Sequence, residues 1–269
     1  MKKGLKKRTK RSGTQKKKGA KLGQHFLTAQ WAANMLAEAV RIEPGMKVLE
    51  IGPGTGNLTK ELLRAGGHVI AIEKDSMLVE TLRTRFAQEI KSGALQLLEE
   101  DIRNITPESI GLETGQYILA ANIPYYITGE IIKTFLSSKF HPARMALLVQ
   151  KEVAQRIARE KKESILSLSV KVFGTPHYVK TVSKGCFSPP PSVDSAILLI
   201  DTISHVRFEK TSEKRFFEVV KRGFASKRKM IGGNLKEVVT TERIKSCGVT
   251  PQTRAENIPL EKWLCFAQE

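Results

Sequence analysis

The segment AANIPYYIT at residues 120–128 sets an amide side chain, a backbone carbonyl, a proline and an aromatic ring in consecutive positions. That set suits the transfer of a small group to the exocyclic amine of a nucleobase. Such an amine is a poor nucleophile, because its lone pair is delocalised into the ring. Two acceptors that each hold one N–H favour a pyramidal nitrogen with its lone pair aimed at an electrophile. The side-chain oxygen of Asn122 and the carbonyl of Ile123 are the two acceptors. Pro124 fixes the turn and removes a competing N–H, and Tyr125 offers a ring on which a base can stack, worth ~1–3 kcal/mol. No strong general base is needed, since the nitrogen becomes acidic once it is alkylated and loses its proton to water. Positioning alone can supply roughly 7–11 kcal/mol of barrier reduction. The lack of a Ser/His/Asp or metal-ligand constellation therefore does not count against an enzyme. The five histidines are scattered, and Cys186, Cys247 and Cys265 are an odd number without CxxC or Cys/His spacing. This predicts no metal centre, no disulfide framework and a reducing, cytoplasmic setting.

A second group of residues suits a nucleoside-containing ligand. LEIGPGTG at 49–56 follows one apolar run and opens a helical pattern, and Gly52, Gly54 and Gly56 let the backbone turn tightly beside a ligand. The dinucleotide pattern GxGxxG would require glycine at position 57, where this chain has Asn57. Glu73, 21 residues after Gly52, ends the next apolar run and can accept ribose hydroxyls. Asp101 follows the third run and can accept an adenine amine, with Ile102 donating its backbone N–H to the ring. NAD and S-adenosylmethionine fit Glu73 equally. Taken singly, each residue also has a structural role open to it: a turn at the glycines, a cap at Asp101, a core ring at Tyr125.

The elements that must hold these residues follow from periodicity. KVLEI (47–51), HVIAIE (68–73), LQLLEE (95–100), YILAAN (117–122) and MALLVQ (145–150) are short apolar runs. They alternate with helical patterns, one marked by Leu58, Leu62 and Leu63 and a longer one by Met77, Leu78, Leu82, Phe86 and Ile90. Alternation of this kind predicts an α/β fold, a mostly parallel sheet built from βαβ units. Thr28 is expected to cap a helix that buries Trp31, Met35, Leu36, Ala39 and Val40. Residues 165–173 fit helix or strand. HYVKTVS and SAILLI read as an antiparallel hairpin at the sheet edge, joined through FSPPPSVD, and bring the sheet to seven strands. From about residue 203 the pattern is helical and basic, with Phe216, Val219, Val220 and Phe224 at helix spacing. The expected division is a basic tail (1–21), a catalytic α/β domain (22–202) and a small helical, RNA-binding domain (203–269).

Charge points to a polyanion. The net charge is +18, and residues 1–21 hold 11 of the 45 Lys and Arg but no acid. Such a tract buries too little apolar surface to repay its ordering, and it would strengthen binding to phosphates without reading sequence. No apolar run is long enough to cross a membrane, and no apolar signal region follows the basic start.

Asn122-Ile123-Pro124-Tyr125 matches the N-[L/I]-P-[Y/F] motif of the ribosomal RNA adenine N6-dimethyltransferases. With GQHFL at 23–27, EIGPGTG at 50–56 and FSPPPSVDSA at 187–196, the chain resembles the KsgA-type small-subunit group of that family from about residue 21 to its C-terminus. The resemblance implies a Rossmann-like methyltransferase fold with S-adenosylmethionine as cofactor. It implies cofactor contacts from Gly52, Gly54, Glu73, Asp101 and Asn122, and from His25, Gln24 and Leu27, which would close over the methionine end. His25 stands where many family members have Asn. Phe187 would face Tyr125 across the target base, making Asn122, Tyr125 and Phe187 the catalytic set. The implied substrate is a pair of adjacent adenosines in a loop near the 3′ end of small-subunit ribosomal RNA, each methylated twice by a monomer acting on immature subunits. Three other readings remain: a large-subunit adenine methyltransferase of the antibiotic-resistance type, an RNA-binding assembly or transcription factor without turnover, and a dehydrogenase.

Overall fold

Strands covered on both faces need continuous apolar runs rather than alternation, and four of the five runs above behave this way; the run at 95–99, at the sheet edge, is fully buried only at Leu95. The computed structural model describes residues 24–268, so the basic tract at 1–21 lies outside the described residues. In chain order the elements are β1 (Phe26–Leu27), α1 (Gln30–Ala39), β2 (Lys47–Ile51), α2 (Asn57–Arg64), β3 (His68–Glu73), α3 (Ser76–Arg85), α4 (Ala87–Lys91), β4 (Leu95–Glu99), β5 (Tyr117–Ala121) and α5 (Thr128–Leu136). There follow β6 (Arg144–Gln150), α6 (Lys151–Ala158), α7 (Ile165–Lys171), β7 (Thr175–Val182), β8 (Phe187–Ser188) and β9 (Ser195–Asp201). The chain ends with α8 (Glu213–Gly223), α9 (Ile231–Leu235), α10 (Thr241–Ser246) and α11 (Leu260–Ala267).

The seven-stranded sheet has the order β4-β3-β2-β5-β6-β9-β7. β4, β3, β2, β5 and β6 are mutually parallel, and β9 and β7 add the antiparallel edge pair. The chain winds from β2 outward to β4, then crosses back to β5. The strand order therefore reverses between β2 and β5, where the carboxyl ends of an open α/β sheet leave a crevice for ligands.

Alternate side chains enter two cores. Val48, Val69, Ala71 and Ala120 meet Leu36 of α1, Leu62 of α2 and Leu82 of α3. Leu49, Ile51, Ile70 and Leu119 meet α5 through Ile131 and Phe135, and that core continues without a break into Phe216, Trp263 and Phe266 of the C-terminal helices. Residues 165–173, open between helix and strand, enter this core as α7, capped by Ser164, whose Oγ accepts from Ser167 N at 3.1 Å.

Three expectations need correction. Thr28 does not cap α1: Ala29 holds that position, and both Thr28 N and Thr28 Oγ1 donate to the Cys186 carbonyl, at 2.8 and 2.9 Å. α1 buries Ala32, Ala33, Leu36 and Ala37, while Trp31 stays 46% exposed. The long helix across Met77–Ile90 is two helices, because the backbone leaves the helical region at Phe86 (φ −114°, ψ 31°). This carries the Phe86 ring under the glycine loop, where a Cβ on Gly56 would lie 2.5 Å from Cε2; Met77 is left 81% exposed. Finally, Cys247 and Cys265 form a disulfide, Cα atoms 5.9 Å apart, between the end of α10 and α11. Cys186 is free, so an odd count concealed one pair that tertiary proximity creates.

Candidate active site

The turn from β2 into α2 is made of glycines with positive φ: 68° at Gly52, 56° at Gly54 and 81° at Gly56. Gly52 N donates to Ile72 O of β3 at 2.9 Å, fastening the loop to the next strand. At Gly54 the missing side chain has a second purpose, since a Cβ there would come within 2.9 Å of the Phe26 ring. The N-terminal motif thus packs directly on the glycine loop. Asn57, the residue that departs from GxGxxG, donates from Nδ2 to Leu27 O at 2.8 Å and ties the same motif down again.

Glu73 is 6% exposed and anchored by the backbone. Its Oε1 accepts from Lys74 N at 2.9 Å and Asp75 N at 3.0 Å, and its Oε2 accepts from Gly54 N at 3.2 Å. A carboxylate has about four lone-pair positions, so one on Oε2 remains for a ligand hydroxyl. A second hydroxyl would compete with the long Gly54 contact.

Asp101 begins the 3-10 turn after β4 and is held by one neighbour. Its Oδ1 accepts from Arg103 N at 3.1 Å and Arg103 Nε at 3.0 Å, and its Oδ2 from Arg103 Nη2 at 2.6 Å. These bonds, with the guanidinium charge, hold its carboxyl down at about 2, against the opposing effect of partial burial. The group is ionised at any physiological pH, and Oδ2 keeps one acceptor position.

Asn122 and Ile123 follow β5 at the switch point. Asn122 Nδ2 donates to His25 O at 3.2 Å, which turns Oδ1 into the free acceptor of the amide. A Cβ on Gly52 would sit an ordinary 3.9 Å from the Asn122 carbonyl, so the positive φ of 68°, and not crowding, is what calls for glycine there. Pro124 O accepts from Ile127 N at 3.2 Å, closing the turn. Tyr125 Oη lies 2.7 Å from Ser195 Oγ at the start of β9. Burial pushes the phenol up from its ordinary value despite the Ser195 hydrogen bond, so Tyr125 stays neutral. Phe187 sits in β8, which pairs antiparallel with β1: Leu27 opposite Phe187, Phe26 opposite Ser188. His25 Nδ1 donates to Pro189 O at 2.9 Å, and its ring stands 6.1 Å from that of Tyr125.

One cleft is therefore lined by Gln24, His25, Leu27, Gly52, Gly54, Glu73, Asp101, Ile102, Asn122, Ile123, Pro124, Tyr125 and Phe187, while Gly56, the third glycine of the turn, packs on Phe86 and Leu82 instead of lining it. Sequence reasoning missed Glu50, Arg103, Tyr126 and the support from Asn57 and Ser195. Glu50 lines the floor and is fully buried, which pushes its carboxyl up to about 8; Thr59 eases the shift without reaching good hydrogen-bond geometry, and Glu73 adds to it. Tyr126 stands 67% exposed at the rim. The departure at Asn57 was a visible signal; Arg103 and Ser195 had none. Among the described residues no group of His, Cys, Asp and Glu could hold a metal ion, and no helix is long and apolar enough to cross a membrane.

A parallel sheet with this crossover, a glycine turn, acidic strand ends and a paired-acceptor turn after the fourth parallel position together define a Rossmann-like methyltransferase. The description "Ribosomal RNA adenine dimethylase" matches residues 15–269, and the chain belongs to that family. It is 38% identical to a ribosomal RNA small subunit methyltransferase A of Dehalococcoides mccartyi strain CBDB1, over 91% of this chain and 86% of the relative. It is 34% identical to the protein of that name from Thermosynechococcus vestitus, over 92% and 95% of the two chains. The crystal structure of a dimethyladenosine transferase from Plasmodium falciparum superposes with a TM-score of 0.74 at 25% identity, over 90% of this chain and 96% of the other.

Proposed function

We propose that this protein transfers methyl groups from S-adenosylmethionine to the N6 amines of two adjacent adenosines in a loop near the 3′ end of small-subunit ribosomal RNA, two to each. It acts as a monomer on immature subunits in the cytoplasm, with residues 22–202 as the catalytic part and 203–269 as an RNA-binding part. The observation that carries this reading is the amide of Asn122, oriented by its Nδ2 donating to His25 O so that its oxygen is the acceptor, in the same cleft as Ile123.

The cleft suits the cofactor: the glycine turn admits backbone approach, Glu73 keeps an acceptor for a ribose hydroxyl, and Asp101 keeps one for the adenine amine. When bound, the cofactor supplies an electrophilic methyl group. Asn122 Oδ1 and Ile123 O hold the two protons of the target amine and turn its lone pair out of the ring plane. Tyr125, pinned by Ser195, and Phe187, pinned by β1, hold the base between them. After the first transfer only one N–H remains, so one acceptor is released and stacking must keep the base in place while the methyl rotates aside. A loop adenosine costs less to extrude than a paired one.

Two measurements test this. Calorimetry should show S-adenosylmethionine binding, with no binding of NAD or NADP. Mass spectrometry of digested RNA, after incubation with unmethylated small subunits, should show dimethyladenosine at two adjacent positions. Binding without any transfer would favour the RNA-binding factor; modified large-subunit RNA in place of small-subunit RNA would favour the antibiotic-resistance type.

A further inference from the structure

A second hollow opens beside the cleft, at the carboxyl end of β6, and the reaction described so far makes no use of it. The two are linked through Ser195 of β9. Gln150, the last residue of β6, is in register with Ser195, the first of β9, and Ser195 is the partner of Tyr125 Oη. Gln150, Lys151, Gln155, Lys184 and Asp194 line the far side. The hollow is preformed, because Asp194 fastens its three segments together: its carbonyl accepts from Lys151 N and its Oδ1 from Lys184 N, both at 3.0 Å.

Its charge and hydrogen-bonding groups are unspent. The Glu152 carboxylate is paired with Arg156 at 2.6 Å, and Asp194, held by the Lys184 N–H, keeps its charge, so two ammonium groups face one unpaired carboxylate. Among the described residues, neither the Lys151 nor the Lys184 ammonium has a carboxylate partner, and neither the Gln150 nor the Gln155 amide has a hydrogen-bond partner. Two half-buried amides are suited to a base edge, glutamine being able to pair with N6 and N7 of adenine. Two ammonium groups beside them suit the phosphate that precedes or follows that base.

Resting on the adenosine-methylating reading above, we propose that this hollow holds the nucleotide next to the target, with Gln150 and Gln155 on its base and Lys151 and Lys184 on its phosphate. One adenosine is then read in the hollow while its neighbour lies on Tyr125. Adjacency of the two targets becomes a property of the enzyme, set by the link through Ser195, and not only of the RNA.

The test uses the full chain and unmethylated small subunits in which either adenosine of the pair is replaced by uridine. With the wild-type protein, replacing the neighbour on one side of the target should slow methylation of the remaining adenosine by about tenfold, the scale of one lost paired contact; replacement on the other side should change little. In a Gln150→Ala/Gln155→Ala variant the remaining adenosine should be methylated at the slower rate whichever neighbour is present. Lys184→Gln, an exposed change, should raise KM for the subunit with kcat unaltered. Calorimetric binding of S-adenosylmethionine should be the same in all variants. An equal neighbour effect in wild type and double variant, or none in the wild type, overturns the proposal. A wild-type protein that binds S-adenosylmethionine yet methylates neither adenosine overturns the functional reading, and the proposal with it.

Discussion

The cleft has two halves built in different ways. On the cofactor side, Gly52, Gly54, Glu73 and Asp101 stand on β2, β3 and β4, consecutive strands, and are fixed by local backbone contacts such as Gly54 N to Glu73 Oε2 across 19 residues. On the acceptor side, the ties span 70 residues from Tyr125 to Ser195, 97 from Asn122 to His25 and 164 from His25 to Pro189. The first half takes shape with the sheet itself. The second exists only when the β1–β8 ribbon closes across the sheet ends, so it is the half where small packing changes alter the outcome of the reaction.

Asn122→Ala should give the largest effect. It removes the acceptor proposed to act on the reacting nitrogen, and loss of one such preorganised partner typically costs roughly 10²–10³ in rate. Both transfers should fall below detection by mass spectrometry while S-adenosylmethionine still binds in the calorimeter. Concurrent loss of cofactor affinity would show that the two halves are not separable. Glu73→Gln comes next: it changes a charged acceptor of three backbone N–H groups, and hydrogen bonds to charged groups are worth about 1.5–3 kcal/mol. Cofactor affinity should weaken by about 10- to 100-fold at unaltered product ratio.

Phe187→Leu should have a smaller and different effect. It keeps apolar volume in β8 but takes away the ring, so the first transfer continues and monomethyladenosine accumulates. A wild-type ratio of mono- to dimethyl product would exclude stacking by Phe187. The smallest effect on the reaction itself belongs to Glu50, whose protonation bears on stability. Its folded carboxyl titrates near 8 against an ordinary value of 4.5, so the folded state holds the extra proton between those values. Stability is then fully present below about pH 4.5 and declines as pH rises toward 8. Glu50→Gln should flatten that decline in thermal melts between pH 5 and pH 8.

The same division explains what could be read in the sequence. β2 and β3 occupy the expected residues, and β4, β5 and β6 differ by one residue at an end, because buried parallel strands write themselves as unbroken apolar runs. The β7–β9 pair also lies where the alternation placed it. The cofactor residues were legible because a glycine turn and acidic strand ends follow their strands at short, regular intervals. Thr28 misled because its hydroxyl answers a carbonyl 158 residues away, and no local pattern records that. Ser195 and the Cys247–Cys265 bond were invisible for the same reason: each gains its role from a neighbour supplied by folding, whereas Arg103 serves Asp101 only two residues away. The break at Phe86 reflects a packing demand under Gly56, whereas helical periodicity alone runs straight through it.

The β1–β8 ribbon has a consequence beyond shaping the acceptor side. It fastens residues 24–27 to the mouth of the cleft, so the basic tract that precedes them is covalently tethered at the place of reaction. Phosphates bound by those lysines would be held near Tyr125 instead of being captured anywhere on the surface. Binding by the tract and by the cleft would then combine through an effective concentration, which falls with roughly the −3/2 power of linker length. Moving the tract to the other end of the chain would preserve the net charge of +18 and forfeit this coupling.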